Sequence, residues 1–337
     1  MKIEDFKRKD ILGLRGVSRE EISFILEEAQ NLKTLIMSPT KNATYLRGRN
    51  VCLFFMENST RTKLSFETAC KYLSATSSTI SKAGSSVNKG ENLYDTVRTI
   101  EQMGTDIIVM RHPQSGAAQY VADHVSAHVI NAGDGMNEHP TQALLDMLTV
   151  YEYKGGLDGL KVAIIGDLQH SRVLRSNLWG MTTMGAEVYA YGPPTMVPWR
   201  LEETQAHVCK DIRDALDQAD IVMGLRVQLE RQKSALFPSV REYLHCFGVD
   251  EKLLQLAKPD ALIMHPGPCN RGVEMTTQVH DHERSVIEEQ VTNGVAVRMA
   301  LLRILGFKPN MHLKDSIEAK GKVFGRDIVI GQMPVIQ

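Results

Sequence analysis

The sequence predicts an α/β protein with two doubly wound parallel-sheet domains and an active site in the cleft between them. Three observations lead to this fold class. Short apolar runs alternate with helical periodicity along most of the chain, and Gly155, Gly156 and Gly159 separate two such series. The chain has 337 residues, which is long for a single hydrophobic core. Alternating strands and helices are typical of parallel sheets covered by helices, so two such domains are expected.

The first series contains one helix followed by four strands with helices between them. Ser18 and Glu21 have the spacing of a capping box, so a helix is predicted to begin here and to continue to about residue 36. Strands are predicted at residues 51–55, 76–81, 106–110 and 128–131. Helical patterns occupy residues 62–74, 91–103, 116–124 and 139–154. We expect residues 1–150 to form the first domain.

The second series begins with a buried-strand pattern at residues 161–167. Further strands are predicted near 187–191, 220–224 and 261–264, and residues 151–290 are assigned to the second domain. The strongly apolar helix at 291–306 is expected to cross back and pack on the first domain. The tail, residues 307–337, shows no clear amphipathic period and has no assigned role. Its end, from residue 323, is either a short hairpin or a contact for a partner.

Charge and cysteine usage exclude several classes of function. The formal net charge is −1, so no overall basic field would attract nucleic acid or an anionic membrane. The 5 cysteines are far apart, and none has the spacing of a metal site or a disulfide framework. We therefore expect reduced thiols, no metal and a cytoplasmic location.

The sequence shows no signal-peptide pattern and no nucleotide-binding motif, so we expect neither secretion nor nucleotide binding. The N-terminus lacks the apolar core of a signal peptide, and no apolar run is long enough to span a membrane. No GxGxxG motif follows the strand at 161–167, and no GxxxxGK[ST] motif occurs. Binding of a dinucleotide or a nucleoside triphosphate therefore lacks its usual physical support.

The most informative segment is a run of polar residues between an apolar strand and a helix, and it comprises Ser59, Thr60, Arg61 and Thr62. Backbone N–H groups at a helix N-terminus are unpaired, and the helix dipole makes that end positive. Hydroxyl groups and a guanidinium at the same place would complete a site for a phosphate group. Ser59 or Thr60 alone would be explained as an ordinary N-cap, but the whole combination favours anion binding. Glu57 would repel a phosphate, so we expect it to orient a nearby arginine.

Residues 83–91 form a second candidate segment, with Ser85 and Lys89 among small and polar neighbours. This composition between two periodic segments is typical of a mobile loop. Two interpretations stay open at this point. The segment is either a solvated loop with one exposed lysine or a lid over an anionic substrate.

A third group comprises Arg111, His139 and Gln142. Arg111 lies just past a predicted strand end, where the ligands of parallel sheets collect. His139 and Gln142 are three residues apart at a helix start, so they share a face of the helix. A lone histidine is usually structural or on the surface. Beside the proposed anion site, however, an imidazole and an amide suit hydrogen bonds to a polarised carbonyl and to an amide NH₂.

The fourth group lies at strand ends of the second domain. It comprises Arg172, Arg226, Gln228 and a turn that contains Gly267 and Pro268. The prolines and the glycine of that turn fix backbone carbonyls that could accept a hydrogen bond from an amine. Each member alone would be explained as part of an ordinary loop. All of them follow strands of one parallel sheet, however, and the carboxyl ends of such strands share a crevice.

In this order, the four groups resemble the aspartate/ornithine carbamoyltransferase family over roughly residues 10–306. The resemblance implies transfer of a carbamoyl group from carbamoyl phosphate to the α-amino group of L-aspartate, giving N-carbamoyl-L-aspartate and phosphate in pyrimidine biosynthesis. It implies that carbamoyl phosphate is bound by Ser59, Thr60, Arg61, Thr62, Ser85, Arg111, His139, Gln142, Gly267 and Pro268. It implies that aspartate is bound by Lys89, Arg172, Arg226 and Gln228. The residues that would take part in catalysis are Arg61, Thr62, Lys89, Arg111 and His139, with no metal and no cofactor.

The same resemblance implies a homotrimer, in which the segment with Ser85 and Lys89 reaches into the active site of a neighbouring subunit. It leaves open a larger assembly with regulatory or partner chains. Three residues depart from the usual pattern of the family. Some relatives have leucine where this chain has Gly267, but a backbone carbonyl serves either way. Arginine is usual where this chain has Lys63, and the thiol of Cys269 beside the site could make activity sensitive to thiol reagents.

Three alternatives to this activity stay open. Transfer to another amine such as ornithine is the closest, but Arg172 and Arg226 suit a dicarboxylate and would repel a cationic side chain. A catalytically silent homologue that acts as a scaffold would not need the polar residues that are present. A dinucleotide-dependent dehydrogenase would need a glycine-rich motif that this sequence lacks.

Overall fold

A computed structural model of the chain describes residues 1–82, 91–227, 239–307 and 312–323. Its named strands form one sheet of four strands and one sheet of five strands, and every strand pair in both sheets is parallel. The predicted α/β class with two parallel sheets is confirmed.

The first sheet contains β1 (Asn50–Phe55), β2 (Thr76–Ser81), β3 (Ile107–His112) and β4 (His128–Asp134), in the spatial order β2-β1-β3-β4. Its helices are α1 (Arg19–Met37), α2 (Thr60–Tyr72), α3 (Leu93–Gln102), α4 (Ala117–Ala122) and α5 (Pro140–Lys154). Ser18 and Glu21 form the predicted capping box at the start of α1. β1 is buried at every position after its first, because helices cover both faces of the sheet, whereas β2 is an exposed edge strand.

The second sheet contains β5 (Lys161–Ile165), β6 (Glu187–Tyr191), β7 (Ala206–Val208), β8 (Ile221–Gly224) and β9 (Leu262–Met264), in the spatial order β7-β6-β5-β8-β9. Its helices are α6 (Arg172–Thr183), α7 (Ile212–Leu216), α8 (Val240–Phe247), α9 (Glu251–Leu254) and α10 (Thr277–His280). The sequence did not predict β7. It is only three residues long and lies at the sheet edge, so it has no apolar run that periodicity could detect.

The helix α11 (Ile287–Gly306) connects the second sheet with the helices of the first. It packs against α1, α2 and α5, and Arg49 Nε donates to the carbonyl oxygen of Gly306 at 3.0 Å. Val109 of β3, Val162 of β5 and Leu301 of α11 belong to one continuous apolar core. The two sheets are therefore held against each other by shared packing, and this fixes the geometry of the cavity between them.

The C-terminal tail differs from the prediction. Residues 312–323 form a helix, α12 (His312–Val323), although the sequence showed no clear amphipathic period there. Strong helix formers such as Glu318 and Ala319 favour this conformation. The predicted hairpin or partner contact at 323–337 falls almost entirely outside the described residues. In the part of the chain that the structure describes, no helix has the length and apolar character to cross a membrane.

Candidate active site

A cavity of about 500 Å³ lies between the two sheets, where strands of both sheets end. The predicted residues that line it are Ser59, Thr60, Arg61, Thr62, Arg111, His139, Gln142, Arg172, Arg226, Gly267 and Pro268. Segments that are far apart in the chain therefore converge at one place. The other three predicted site residues, Ser85, Lys89 and Gln228, lie outside the described residues.

The N-terminus of α2 carries the predicted anion site. Ser59 is the N-cap residue, but its side chain makes no capping hydrogen bond, so ordinary capping does not explain it. Thr62 is buried in the first turn, and Phe66 and Cys70 pin the same helix against the core. The first N–H groups of α2 are therefore held in place at the cavity wall, and the Ser59 hydroxyl is not used in capping the helix.

Arg61 lies against the turn that follows β9. A Cβ built at Gly267 would come within 2.1 Å of Arg61 Nη1, so the guanidinium and this turn are in close contact. Burial lowers the pKa of Arg61, and the nearby charge of Arg226 lowers it further. Both effects disfavour the charged form of Arg61, and a bound anion would oppose them.

Glu57 binds two of the predicted ligand residues, one from each sheet. Its Oε1 accepts from Arg111 Nη2 at 2.8 Å and from Arg172 Nη2 at 2.6 Å, and its Oε2 accepts from Arg172 Nη1 at 3.1 Å. Arg111 Nη1 also donates to the carbonyl oxygen of Ala132 at 3.2 Å. The prediction that Glu57 orients a nearby arginine is confirmed, and the structure identifies two arginines.

His139 and Gln142 begin the buried helix α5. His139 is the N-cap residue, and its backbone N–H donates to Ser176 Oγ at 2.8 Å. Gln142 Nε2 donates to Asp146 Oδ1 at 2.9 Å. Both side chains are buried and line the cavity, so the predicted shared face is directed toward the proposed anion site.

The turn after β9 is organised by His265, which is buried at its start. His265 Nδ1 accepts from the backbone N–H of Gly267 at 2.8 Å. Burial, with the nearby charges of His280, Arg61 and Arg226, lowers the pKa of His265 to about 3. The imidazole is therefore neutral and serves as an acceptor that shapes the turn.

Glu274 is a structural carboxylate that the sequence analysis missed. It accepts from the backbone N–H of Val227 at 2.9 Å, from that of Asn270 at 2.8 Å and from Asn270 Nδ2 at 2.7 Å. It thereby ties the segment after β8, which carries Arg226, to the turn after β9. No local pattern reveals this role, because Val227 lies 47 residues away in another loop.

Gln290 and Arg298 of α11 also line the cavity and were missed. Gln290 Oε1 accepts from the backbone N–H of His265 at 3.0 Å, and Arg298 Nη1 donates to Ser65 Oγ at 2.8 Å. Burial, and then the charge of Arg61, lowers the pKa of Arg298 to about 10. A signal did exist for Arg298, since it is the one charged residue within the apolar stretch 295–302, and a charge in such surroundings is costly and usually has a role.

His265, Cys269 and Glu274 are the one group in the described part of the chain whose donor atoms are close enough to hold a metal ion, all within 4.8 Å of one another. The Glu274 carboxylate already accepts from two backbone N–H groups and an amide, and the Cys269 thiol donates to its Oε2 at 3.7 Å. Burial raises the pKa of Cys269 to about 12, so its thiolate is disfavoured. We assign no metal to this group.

Comparison with known proteins gives matches along most of the chain. The family model described as the carbamoyl-P binding domain of aspartate/ornithine carbamoyltransferase matches residues 9–152, and the model of the Asp/Orn binding domain matches residues 158–305. The aspartate carbamoyltransferase catalytic subunit of Acetivibrio thermocellus is 61% identical over 299 residues, which are 89% of this chain and 96% of that protein. The subunit of the same name from Ruminiclostridium cellulolyticum is 58% identical over 301 residues, with 89% and 96% coverage.

Solved structures show the same fold. Aspartate transcarbamoylase from Trypanosoma cruzi in complex with carbamoyl phosphate superposes with a TM-score of 0.80 at 29% identity, covering 90% of this chain and 98% of that one. Ornithine carbamoyltransferase from Thermus thermophilus gives a TM-score of 0.79 at 26% identity, covering 89% and 99%. Sequence, fold and the convergence of ligand residues in one cavity agree, and the chain belongs to the aspartate/ornithine carbamoyltransferase family.

Proposed function

We propose that this chain transfers the carbamoyl group of carbamoyl phosphate to the α-amino group of L-aspartate, giving N-carbamoyl-L-aspartate and phosphate. The observation that carries the proposal is the convergence of the α2 N-terminus with Arg172 and Arg226 of the second sheet in one cavity. The N-terminus of α2 suits a phosphate group, and Arg172 and Arg226 suit an acceptor with two carboxylates. The relatives at 61% and 58% identity, which are named aspartate carbamoyltransferase catalytic subunits, support the same acceptor.

Carbamoyl phosphate would bind at the first sheet. Its phosphate would accept hydrogen bonds from the α2 N-terminus and from the hydroxyl and guanidinium groups of Ser59, Thr60, Arg61 and Thr62, with Ser85 as a further ligand. Thr62, Arg111 and His139 would donate to the carbonyl oxygen, where negative charge develops as the amine attacks. Gln142 would accept from the carbamoyl NH₂, and the backbone carbonyls of Gly267 and Pro268 would accept from the attacking amine.

Aspartate would bind from the second sheet, with its α-carboxylate on Arg172 and its β-carboxylate on Arg226 and Gln228. Lys89 would supply a further positive charge. Two anionic substrates repel each other, so these cations would lower the cost of bringing the amine to the carbonyl carbon. The departing phosphate would take up the amine proton, and the residues need supply neither a metal nor a covalent nucleophile.

We further propose a homotrimer in the cytoplasm that serves pyrimidine biosynthesis and has no nucleic-acid or membrane partner. The resemblance to the family supports a shared active site, in which Ser85 and Lys89 come from a neighbouring subunit. Mixing Lys89→Ala chains with Arg61→Ala chains tests this arrangement. Hybrid trimers should regain activity, because some sites then combine two intact halves, and hybrids verified by mass that stay inactive would contradict the shared site.

Transfer to ornithine is the second candidate, since a structural neighbour at 26% identity is named ornithine carbamoyltransferase. Colorimetric detection of the ureido product, with aspartate and ornithine offered separately, distinguishes the two. Product should form with aspartate alone, because Arg172 and Arg226 would repel the cationic side chain of ornithine. Product with ornithine alone would overturn the acceptor assignment, and absence of product with either would favour a catalytically silent homologue.

A further inference from the structure

Asp146 is a fully buried carboxylate on α5, one helical turn after Gln142, and the reaction described above does not use it. Three amide side chains from three helices donate to it. Gln142 Nε2 and Gln290 Nε2 donate to Oδ1 at 2.9 Å and 2.7 Å, and Asn177 Nδ2 donates to Oδ2 at 2.8 Å. Burial of a carboxylate is costly, so three partners drawn from α5, α6 and α11 require an explanation.

The direction of these hydrogen bonds is fixed by a backbone group. The N–H of His265 can only donate, and it donates to Gln290 Oε1 at 3.0 Å. Gln290 must therefore present its Nε2 to Asp146, and Asp146 Oδ1 must accept. The same oxygen then accepts from Gln142 Nε2, which leaves Oε1 as the atom of the Gln142 amide that can meet a ligand in the cavity.

We propose that Asp146 is a positioning residue that holds the Gln142 amide with its oxygen toward the substrate, and that this orientation makes the site prefer a carbamoyl group over an acyl group without an NH₂. The proposal rests on the proposed function, because it assumes that carbamoyl phosphate occupies the cavity. An amide oxygen at this place accepts a hydrogen bond from the carbamoyl NH₂. A reversed amide would instead bring one NH₂ group against another.

Acetyl phosphate is the matched probe for this orientation. It has the same phosphate and carbonyl as carbamoyl phosphate, but a methyl group replaces the NH₂. The orientation of Gln142 should therefore affect the binding of carbamoyl phosphate strongly and the binding of acetyl phosphate weakly. A change that only loosens the cavity or alters its charge should weaken the binding of both compounds to the same extent.

The variant Asp146→Asn with Gln290→Glu reverses the direction of the hydrogen bonds without changing the net charge or the shape of the side chains. The carboxylate introduced at position 290 can still accept from His265 N–H, but it can no longer donate to the side chain at position 146. The amide introduced at position 146 must then donate its NH₂ toward position 290 and Gln142, while its oxygen accepts from Asn177. Every group keeps a partner, and the Gln142 amide is forced to reverse.

The single variant Asp146→Asn is the control. Gln290 still requires an oxygen at position 146, so the Gln142 amide keeps its orientation. The NH₂ of the new side chain faces Asn177, whose Oδ1 is buried without a hydrogen-bond partner among the described residues. Asn177 can reverse its own amide and accept there. The control therefore carries the same substitution at position 146 without the reversal at Gln142.

The measured quantity is the ratio between the inhibition constant of acetyl phosphate and the KM of carbamoyl phosphate, at saturating aspartate in the full-length chain. We expect Asp146→Asn to keep this ratio within about threefold of the original chain. We expect the double variant to lower it by about tenfold or more, through a higher KM with little change for acetyl phosphate. Equal ratios in the two variants would overturn the proposal. A ratio in Asp146→Asn that falls by more than about threefold below that of the original chain would also overturn it.

If the double variant does not fold, Asp146→Leu gives a second test, because it removes the acceptor and leaves Gln142 unheld. The ratio of the inhibition constant to the KM should again fall. If the binding of both compounds weakens equally, Asp146 only supports the structure. Failure of the proposed function is separately visible, because the original chain would then form no ureido product. An active original chain whose ratio is unaffected by either variant would refute the positioning role alone.

Discussion

Replacement of Glu57 by glutamine tests how the two sheets cooperate in the cavity. Glu57 follows β1, and its carboxylate is the common acceptor of Arg111 from the first sheet and Arg172 from the second. The side chain of Glu57 is 21% exposed, whereas those of Arg111 and Arg172 are 12% and 5% exposed. One carboxylate therefore holds two largely buried guanidinium groups in the positions from which they would contact the substrates.

The expected loss follows from the number of bonds that glutamine can keep. A glutamine oxygen in the place of Oε1 can still accept from Arg111 Nη2 and Arg172 Nη2. Its NH₂ then meets Arg172 Nη1, which loses its acceptor, and the negative charge shared by both guanidinium groups is gone. A hydrogen bond between charged groups contributes about 1.5–3 kcal/mol, and each 1.4 kcal/mol corresponds to about tenfold in rate. Because Glu57 is partly exposed, solvent screening brings the expected contribution toward the lower end of this energy range. We expect kcat/KM for aspartate to fall about 10- to 100-fold.

Steady-state assays of the ureido product at varied aspartate measure this change. The matched control is Asp281→Asn, which breaks a bidentate pair with Arg271 at 2.6 and 2.7 Å. Both side chains are about half exposed and neither lines the cavity, so kcat/KM should change less than about twofold. A fall of less than threefold for Glu57→Gln, or an equal fall in both variants, would refute the positioning role of Glu57.

Three further predictions concern single residues. Arg61→Ala should lower kcat/KM at least tenfold, since it removes a charged donor from the proposed phosphate site, and a smaller fall in steady-state assays would exclude Arg61 as a principal ligand. Burial raises the pKa of Asp146 to about 6, so the folded chain binds a proton between about pH 4 and 6 that the unfolded chain has released. Stability is therefore lost as pH rises through this window. Asp146→Asn should remove about 2 kcal/mol of that dependence between pH 4 and 7, and equal pH profiles in urea unfolding would contradict this. Burial raises the pKa of Cys269 to about 12, so the exposed Cys246 should react first with iodoacetamide at pH 8, and mass-resolved labelling that finds Cys269 first would contradict it.

The central strands could be predicted from the sequence because they are continuous apolar runs between helical segments. Residues 51–55 and 220–224 illustrate this, since the observed strands, Asn50–Phe55 and Ile221–Gly224, differ by one residue at most. Strands of parallel sheets are buried on both faces, so composition alone marks them. The three residues of β7 were missed because an edge strand of this length carries no such signal.

The candidate site was predictable to the extent that it depends on strand ends. Arg111, Arg172 and Arg226 each lie at or shortly after the carboxyl end of a strand, and parallel topology brings those ends to one crevice. The geometry behind these residues was not predictable. Gln290 meets Asp146 across 144 positions of sequence, and only the packing of α11 on α5 brings them together.

The cavity illustrates how a protein can hold several cations beside one another. Burial is the larger cause that disfavours the charged forms of Arg61 and Arg298. The charge of Arg226 adds to this cost at Arg61, and the charge of Arg61 adds to it at Arg298. Carboxylates offset part of it: Glu57 pairs with Arg111 and Arg172, and the charge of Asp146 favours the charged form of Arg298. In each case the acceptor is already engaged by protein donors, so it stabilises the cation without filling the place of a substrate. The cavity thus stays positive toward two anionic substrates while the fold bears only part of the electrostatic cost.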